Sequence, residues 1–319
     1  MAFGNTLNQL SIGKAKAFVN QVDNITENAP LVKAMPFTQS SDQLWDVSAE
    51  LVSIGTGIQN VDLNAPLAEI QMAGALKQTQ LSVFGAKMFV PEDTAKLEGG
   101  PDKYFGRNRV AFERQTGMDV ETMYIYGALL PFALKQHQEG HTDCVQDAGG
   151  SGNANYSLMA LRFDETNLAG LYSPLCFKRD TFLDMQAINN GALYENSDQN
   201  SRYHGVLGYG MRMKTYLGVR MLSHRNIGAI VNIDLAAATP LTRMMVEKAL
   251  LAARNGEAGK TMIVCHPKVR LALAAIGKTE FMQAGYGEKG VDLRVDTWDG
   301  VPIVTSYNFM DAGETNITL

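Results

Sequence analysis

Between residues 155 and 233, apolar and polar positions follow the two-residue period of extended chain, and no long helical period interrupts them. YSLMALRF, LAGLYS, GMRMKTYLGVRML and IGAIVNI read as strands. In the third, Met211, Met213, Thr215 and Leu217 alternate with Arg212, Lys214 and Tyr216. That pattern predicts one buried side and one side that meets solvent or a partner. Residues 44–90 alternate more weakly and are split by the turn-rich GTGIQNVDLNAP. They predict a long hairpin or extended excursion whose apolar residues Ile54, Ile58, Val61 and Leu63 find little cover inside one chain. Such residues imply a partner surface; a loop folded back on its own core is the alternative.

Helical periods flank this block. PDKYFGRNRVAFERQTGMDVETMYIYG, 101–127, predicts a long helix with Pro101 at its first position and Gly127 as a left-handed end. Gly106 and Gly117 lie inside it, each costing about 1 kcal/mol relative to Ala, so tertiary contacts must hold it. Residues 240–256 predict a second helix capped by Thr239. Its methionines, 244–245, read as core. TMIVCHP then reads as a buried strand, PKVRLALAAIG as a helix, and VDLRVDTWDGVPIVTSY as two strands joined at Asp299-Gly300. At the other end, residues 7–28 carry scattered apolar positions (Leu10, Ala17, Phe18, Val22, Ile25), followed by Pro30 and Pro36. This reads as an arm lying on something else.

Composition narrows the functional classes. The 319 residues are 45% hydrophobic with a formal net charge of −5, which argues against tight sequence-independent binding of nucleic acid. Cys144, Cys176 and Cys265 are widely spaced and read as free thiols in a reducing compartment. No signal peptide is evident at the N-terminus, and NIGAIVNIDLAAATPL is too short and too polar to cross a membrane. The reading is a soluble protein, intracellular when made.

Three stretches invite chemistry and fail its requirements. The loop in VQDAGGSGNANYSLMALRF lacks the Lys and hydroxyl of a phosphate loop and leads into a strand, where a dinucleotide fingerprint needs a helix. GGSGN misses the nucleophile elbow at its last residue. In HQEGHTDC, His137 and His141 have a protease-like spacing, but Glu139 is one place late and Gly140 breaks the helix. A metal-dependent hydrolase using His137, His141 and Asp143 stays a minor alternative. Cys265 and His266 are adjacent on a strand, so their side chains point apart. No catalytic, cofactor-binding or metal-binding residue is assigned.

The order of these elements carries more information than any motif. NITENAPLVKAMPF (24–37), VPEDTAKLEGGPDKYFGRNRVAFERQTGMDVETMYIYG (90–127), VQDAGGSGNANYSLMALRFDETNLAGLYS continuing through YLGVRMLSHRNIGAIVNID to 234, and VDTWDGVPIVTSYNFMDAGE (within 291–314) together resemble the major capsid proteins of tailed bacteriophages. The similarity is to the short-tailed-phage branch of the HK-ninety-seven-like family. His224 stands where that branch has a Trp before the Arg of its Arg…Asn-Ile-Asp ending.

The resemblance implies an α+β fold with an N-terminal arm (1–43), an extended loop (44–90), a peripheral domain (91–235) built on a spine helix (101–127), and an axial domain (236–319) with a closing hairpin. It implies a non-enzymatic shell protein forming hexamers and pentamers in an icosahedral head around double-stranded DNA, assembled in the host cytoplasm. DNA would be held by non-specific proximity, with scaffolding, portal and cement proteins as further partners and no membrane. No scaffolding segment precedes the arm, so a separate scaffolding protein or none is expected. The alternative is an encapsulin-like compartment that packages cargo enzymes. Assembly contacts are expected at Leu31, Phe37, Ile54, Ile58, Val61 and Leu63, and hinge freedom at Gly55, Gly57, Gly106 and Gly117. No cofactor or metal is expected.

Overall fold

Two sheets share one long helix. The computed structural model describes residues 28–54, 72–177, 184–237, 240–257, 259–276, 279–283, 294–310 and 313–319. A short helix α1 (Pro30–Ala34), started by its proline, leads to strand β1 (Phe37–Gln39). Strands β2 (Trp45–Ile54) and β3 (Met72–Gln80) then pair antiparallel with each other and with no other described strand. The expected excursion over 44–90 is therefore two things. Its first part is this free-standing hairpin, and its last part, β4 (Ser82–Pro91), belongs to the body.

After helix α2 (Glu92–Leu97), helix α3 (Pro101–Met123) runs into a wider π turn over Tyr124–Leu129 and on into α4 (Leu130–Gln138). The helical run thus passes through Gly127, where the sequence predicted its end. Leu129, Leu130 and Ala133 continue the buried face of Val120, Tyr124 and Ile125, so core packing carries the helix onward. The π turn falls just before Pro131, which has no N–H to give its preceding turn. The left-handed residue that ends the run is Gly140, at φ 102°.

Strand β5 (Val145–Asp147) is followed by β6 (Tyr156–Phe163) and β7 (Leu168–Tyr172). Short strands β8 (Asp184–Ala187) and β9 (Tyr194–Glu195) precede the 15-residue β10 (Leu207–Met221). One edge of β10 pairs with β4; its other edge takes β9, β8 and β7 in succession, and β1 extends β7. Met211, Met213, Thr215 and Leu217 are buried while Arg212 is exposed, as the alternation predicted.

The second sheet has the order β13-β14-β15-β12-β6-β11-β5. Its remaining members are β11 (Ile227–Ile233), β12 (Lys260–Cys265), β13 (Thr279–Gln283), β14 (Arg294–Trp298) and β15 (Val301–Thr305). Every residue of β6 is buried, because β6 lies between two neighbours and both its faces are covered. Met159, Leu161 and Phe163 pack with α4 and the π turn. Tyr156, Leu158 and Ala160 pack with α5 (Arg243–Ala252) and α6 (Pro267–Ile276).

Thr242, not Thr239, caps α5: its hydroxyl accepts from the Met245 amide, and Pro240 stays outside the helix. Of the two methionines there, Met245 packs against the core while Met244 is largely exposed, contrary to the expectation of core. Asp299 and Gly300 both take positive φ, 46° and 82°, the geometry of a tight hairpin turn. No described helix is long and apolar enough to cross a membrane.

Candidate assembly surface

The free hairpin inverts the usual rule of apolar inside and polar outside. Across its register, Asp46 pairs with Thr79, Ser48 with Lys77, and Ala49 with Leu76. Asp46 is buried, and Ser48, Lys77 and Thr79 are half-buried against the chain's own body. Trp45, Val47 and Leu76 stand outward, Leu76 at 78% exposure. A two-stranded ribbon with no third strand is marginal by itself in water, so its root has to be fastened.

The fastening is polar. The Arg220 Nε on β10 donates to Asp46 Oδ2 at 2.7 Å, and its Nη1 donates to the Glu165 carbonyl at 3.0 Å. Asp46 also accepts from the Ser41 amide at 3.2 Å and the Ser48 hydroxyl at 3.1 Å. Burial alone would push the Asp46 carboxyl up; the Arg220 guanidinium and these donors hold it below the ordinary aspartate value. On the other strand, Lys77 Nζ lies 5.2 Å from the Phe132 ring centroid and donates to the Leu222 carbonyl at 3.5 Å.

A second polar node ties residues 28–32 and 306–308 to α3. Glu121 is fully buried, and its Oε2 accepts from the Leu31 amide at 2.9 Å and the Val32 amide at 3.3 Å, capping α1 from a distance. Its Oε1 accepts from the Ser306 hydroxyl and from Asn308 Nδ2 at 3.1 Å. Asn308 Nδ2 also donates to the Asn28 carbonyl at 2.8 Å. Burial raises the Glu121 carboxyl above the ordinary value, with these donors offsetting part of the rise.

Farther along the C-terminal strap, buried Glu314 accepts from Tyr126 at 2.7 Å and from Ser157, and burial raises it too. Asn232, at φ 57° in a bulge of β11, exchanges two 2.8 Å hydrogen bonds with the backbone of Ile317.

The stretches that invited chemistry are placed as follows. The glycine loop joins β5 to β6, strand to strand, with Asp147 Oδ1 accepting from the Gly149 amide at 2.8 Å. His137 lies at the end of α4, and His141 stacks on His224 with ring centroids 3.8 Å apart. Among the described residues no group of three or more His, Cys, Asp or Glu is placed to hold a metal. Cys265 is buried, its thiol pushed up to about 12, and the His266 Nδ1 accepts from the Lys268 amide at the start of α6. A recess of about 130 Å³ lies between α3 and the β4–β10 pair, with Phe84, Phe112, Met213 and Thr215 among its walls.

Of the expected assembly residues, Leu31 is buried in the chain's own core and Phe37 is half-buried in β1, paired with Gly170. Ile58, Val61, Leu63, Gly55 and Gly57 lie outside the described residues, as does the side chain of Ile54. Gly106 and Gly117 both lie within continuous α3, the first exposed and the second buried. Sequence reasoning missed Asp46, Arg220, Glu121 and Glu314. The alternation of Trp-Asp-Val-Ser at 45–48 was the one signal for Asp46.

A long helix crossing one sheet and entering the core of a second, with a free hairpin at its side, is an α+β arrangement of the HK-ninety-seven-like capsid type. The comparisons with solved structures carry this. The chain is similar to one from the cryo-EM structure of bacteriophage Epsilon15, at TM-score 0.53 and 16% identity over 85% of this chain and 84% of that one. It is similar to a chain of the bacteriophage JBD30 capsid at TM-score 0.50 and 12% identity, over 86% and 88% of the two chains. An encapsulin complex from Synechococcus elongatus matches at TM-score 0.44 and 13% identity, over 66% and 89%. No family model and no curated protein matches the sequence.

Proposed function

We propose that this chain is the major capsid protein of a tailed bacteriophage, a structural protein that assembles as hexamers and pentamers into the icosahedral head around packaged double-stranded DNA. The observation that carries the reading is the inverted hairpin. Its polar face binds its own body through Asp46 and Lys77, while Trp45, Val47 and Leu76 face outward from a ribbon paired with nothing else described. Apolar residues on a projecting element complete their burial on another surface, and copies of the same chain supply one. The fold shared with the JBD30 capsid supports the same reading. The net charge of −5 suits a wall that borders DNA without gripping it.

The activity is assembly, and no catalytic step is assigned. Particles form in the host cytoplasm and persist as the virion shell, with scaffolding, portal and cement proteins as further partners. Negative-stain microscopy of the purified chain tests this directly. Closed particles of uniform diameter are expected. A monodisperse monomer at every concentration and salt tried would refute it, and particles filled with protein cargo in place of DNA would shift the assignment to a cargo compartment.

A further inference from the structure

We infer that the Asp46–Arg220 pair is a positioning lock that sets the direction in which the hairpin leaves the body, and through it the size of the particle that copies of this chain build. The second half of this inference rests on the shell reading; the first does not. Three observations carry it.

The hairpin pairs with no described strand of either body sheet, so the β4–β10 ladder holds only the point where it leaves the body. Its inward side chains near the root are polar, and the apolar contact there is confined to Leu81, the residue that joins β3 to β4. What remains is a small set of directed contacts, with the Asp46–Arg220 pair at their centre. Asp46 receives a guanidinium N–H, a backbone N–H and a hydroxyl; Arg220 bridges the hairpin to the Glu165 carbonyl in the turn between β6 and β7.

Both partners are well out of solvent, with side-chain exposures of 2% and 15%, so water competes little for them. Planar guanidinium bonds are directional, unlike apolar contacts. A lever fixed at its root by one such pair changes its angle when the pair is lost. The Lys77–Leu222 contact, at 3.5 Å and on the second strand, is a looser tether that limits how far it swings.

The angle is read in the unassembled chain by double electron–electron resonance between spin labels at Gln78→Cys on the hairpin and Thr166→Cys on the body. Cys176→Ser is included, and Cys144 and Cys265 are buried. The inference expects a narrow distance distribution in the otherwise unchanged chain. Asp46→Asn should broaden it at least twofold, and Asp46→Glu, which restores the carboxylate, should narrow it again. A distribution equally narrow in Asp46→Asn overturns the lock.

In assembly, electron microscopy should show one particle diameter for the unaltered chain and several, or open sheets, for Asp46→Asn, with recovery in Asp46→Glu. Particles of unchanged diameter beside a broadened hairpin overturn the link to particle size. Failure of the unaltered chain to form particles sinks the shell reading alone, while the distance measurement still decides the lock. Should Asp46→Asn not fold, Arg220→Lys keeps the charge, loses the fork that reaches both Asp46 and Glu165, and is expected to broaden the same distribution.

Discussion

Removing the Glu121 carboxylate separates two variants that a simple count of lost contacts would treat alike. Four donors converge on it: the Leu31 and Val32 amides on Oε2, and Ser306 and Asn308 on Oε1. Glu121→Gln can keep its oxygen on the two amides and turn its NH2 toward Ser306. The Ser306 oxygen can accept, as it already does from the Asn308 amide at 3.0 Å. Two donors then lose their acceptor, the Ser306 hydroxyl and Asn308 Nδ2, and the second still holds the Asn28 carbonyl. The cost is that of buried donors left short at the Ser306–Asn308 side, about 1–3 kcal/mol each, and α1 stays capped.

Glu121→Ala instead strips both α1 amides of their acceptor, which costs about 2–6 kcal/mol for those two donors. Native-state hydrogen exchange reads the difference locally, since about 1.4 kcal/mol is a tenfold change in opening. The Leu31 and Val32 amides should exchange at least about 30-fold faster in the Ala variant and within a few-fold of the unaltered chain in the Gln variant. Slow exchange at both amides in Glu121→Ala would show that core packing around Leu31, not the carboxylate, holds the N-terminal turn.

The other predictions concern close approach, helix freedom and pH. A Cβ at Gly228 would overlap the Ala249 carbonyl oxygen, which no side-chain rotation can relieve, so Gly228→Ala should destabilise by about 3 kcal/mol and lower the calorimetric melting temperature. Gly106 has open space around it on the exposed face of α3. Gly106→Ala should therefore stabilise the helix by about 1 kcal/mol, with particle diameter on electron micrographs deciding whether the position also works as a hinge. Asp46 is depressed, so its contribution is present above the ordinary aspartate value and is lost only as pH falls through the lower folded value. The labelled hairpin should stay narrow down to about pH 4 and broaden only below it. Glu314 is raised, so its contribution is complete below the ordinary glutamate range and falls as pH rises through the folded value. Exchange of amides in the strap, corrected for intrinsic rate, should be faster in mildly alkaline than in mildly acidic buffer.

The longer strands β6, β7, β10, β11 and β12 were legible because each is buried in the way its period announces. The short β1, β5, β8, β9 and β13 carry too few residues to show a period and were not read as strands. β6 is largely apolar, Ser157 and Arg162 apart, and buried on both faces, and β10 alternates and buries Met211, Met213, Thr215 and Leu217. Tight local chemistry was legible too, as at Asp299-Gly300, where two positive φ values demand such residues. Helix ends were less so. The run through Gly127 and the cap at Thr242 were decided by core contacts and by the placement of Pro240, and local preference for a stop or a cap does not contain those.

The candidate site shows a deeper reason for partial legibility. Alternation at Trp45-Asp46-Val47-Ser48 correctly announces two faces, but burial rules send the apolar face inward, and in this chain it is the polar face that meets the body. The rule assumes that a chain completes its burial alone, and the proposed assembly removes that assumption. In the proposed shell, Trp45, Val47 and Leu76 outward, with Asp46 and Lys77 inward, present an apolar side that a second copy would remove from water. Glu121 illustrates the converse. An acid in a long helix reads as a solvated position, and Glu121 becomes the cap of α1 only after the chain has brought residues 28–32 and 306–308 together around it. Polar residues that position one segment against another have no sequence period of their own, because the spacing that gives them meaning spans nearly the whole chain.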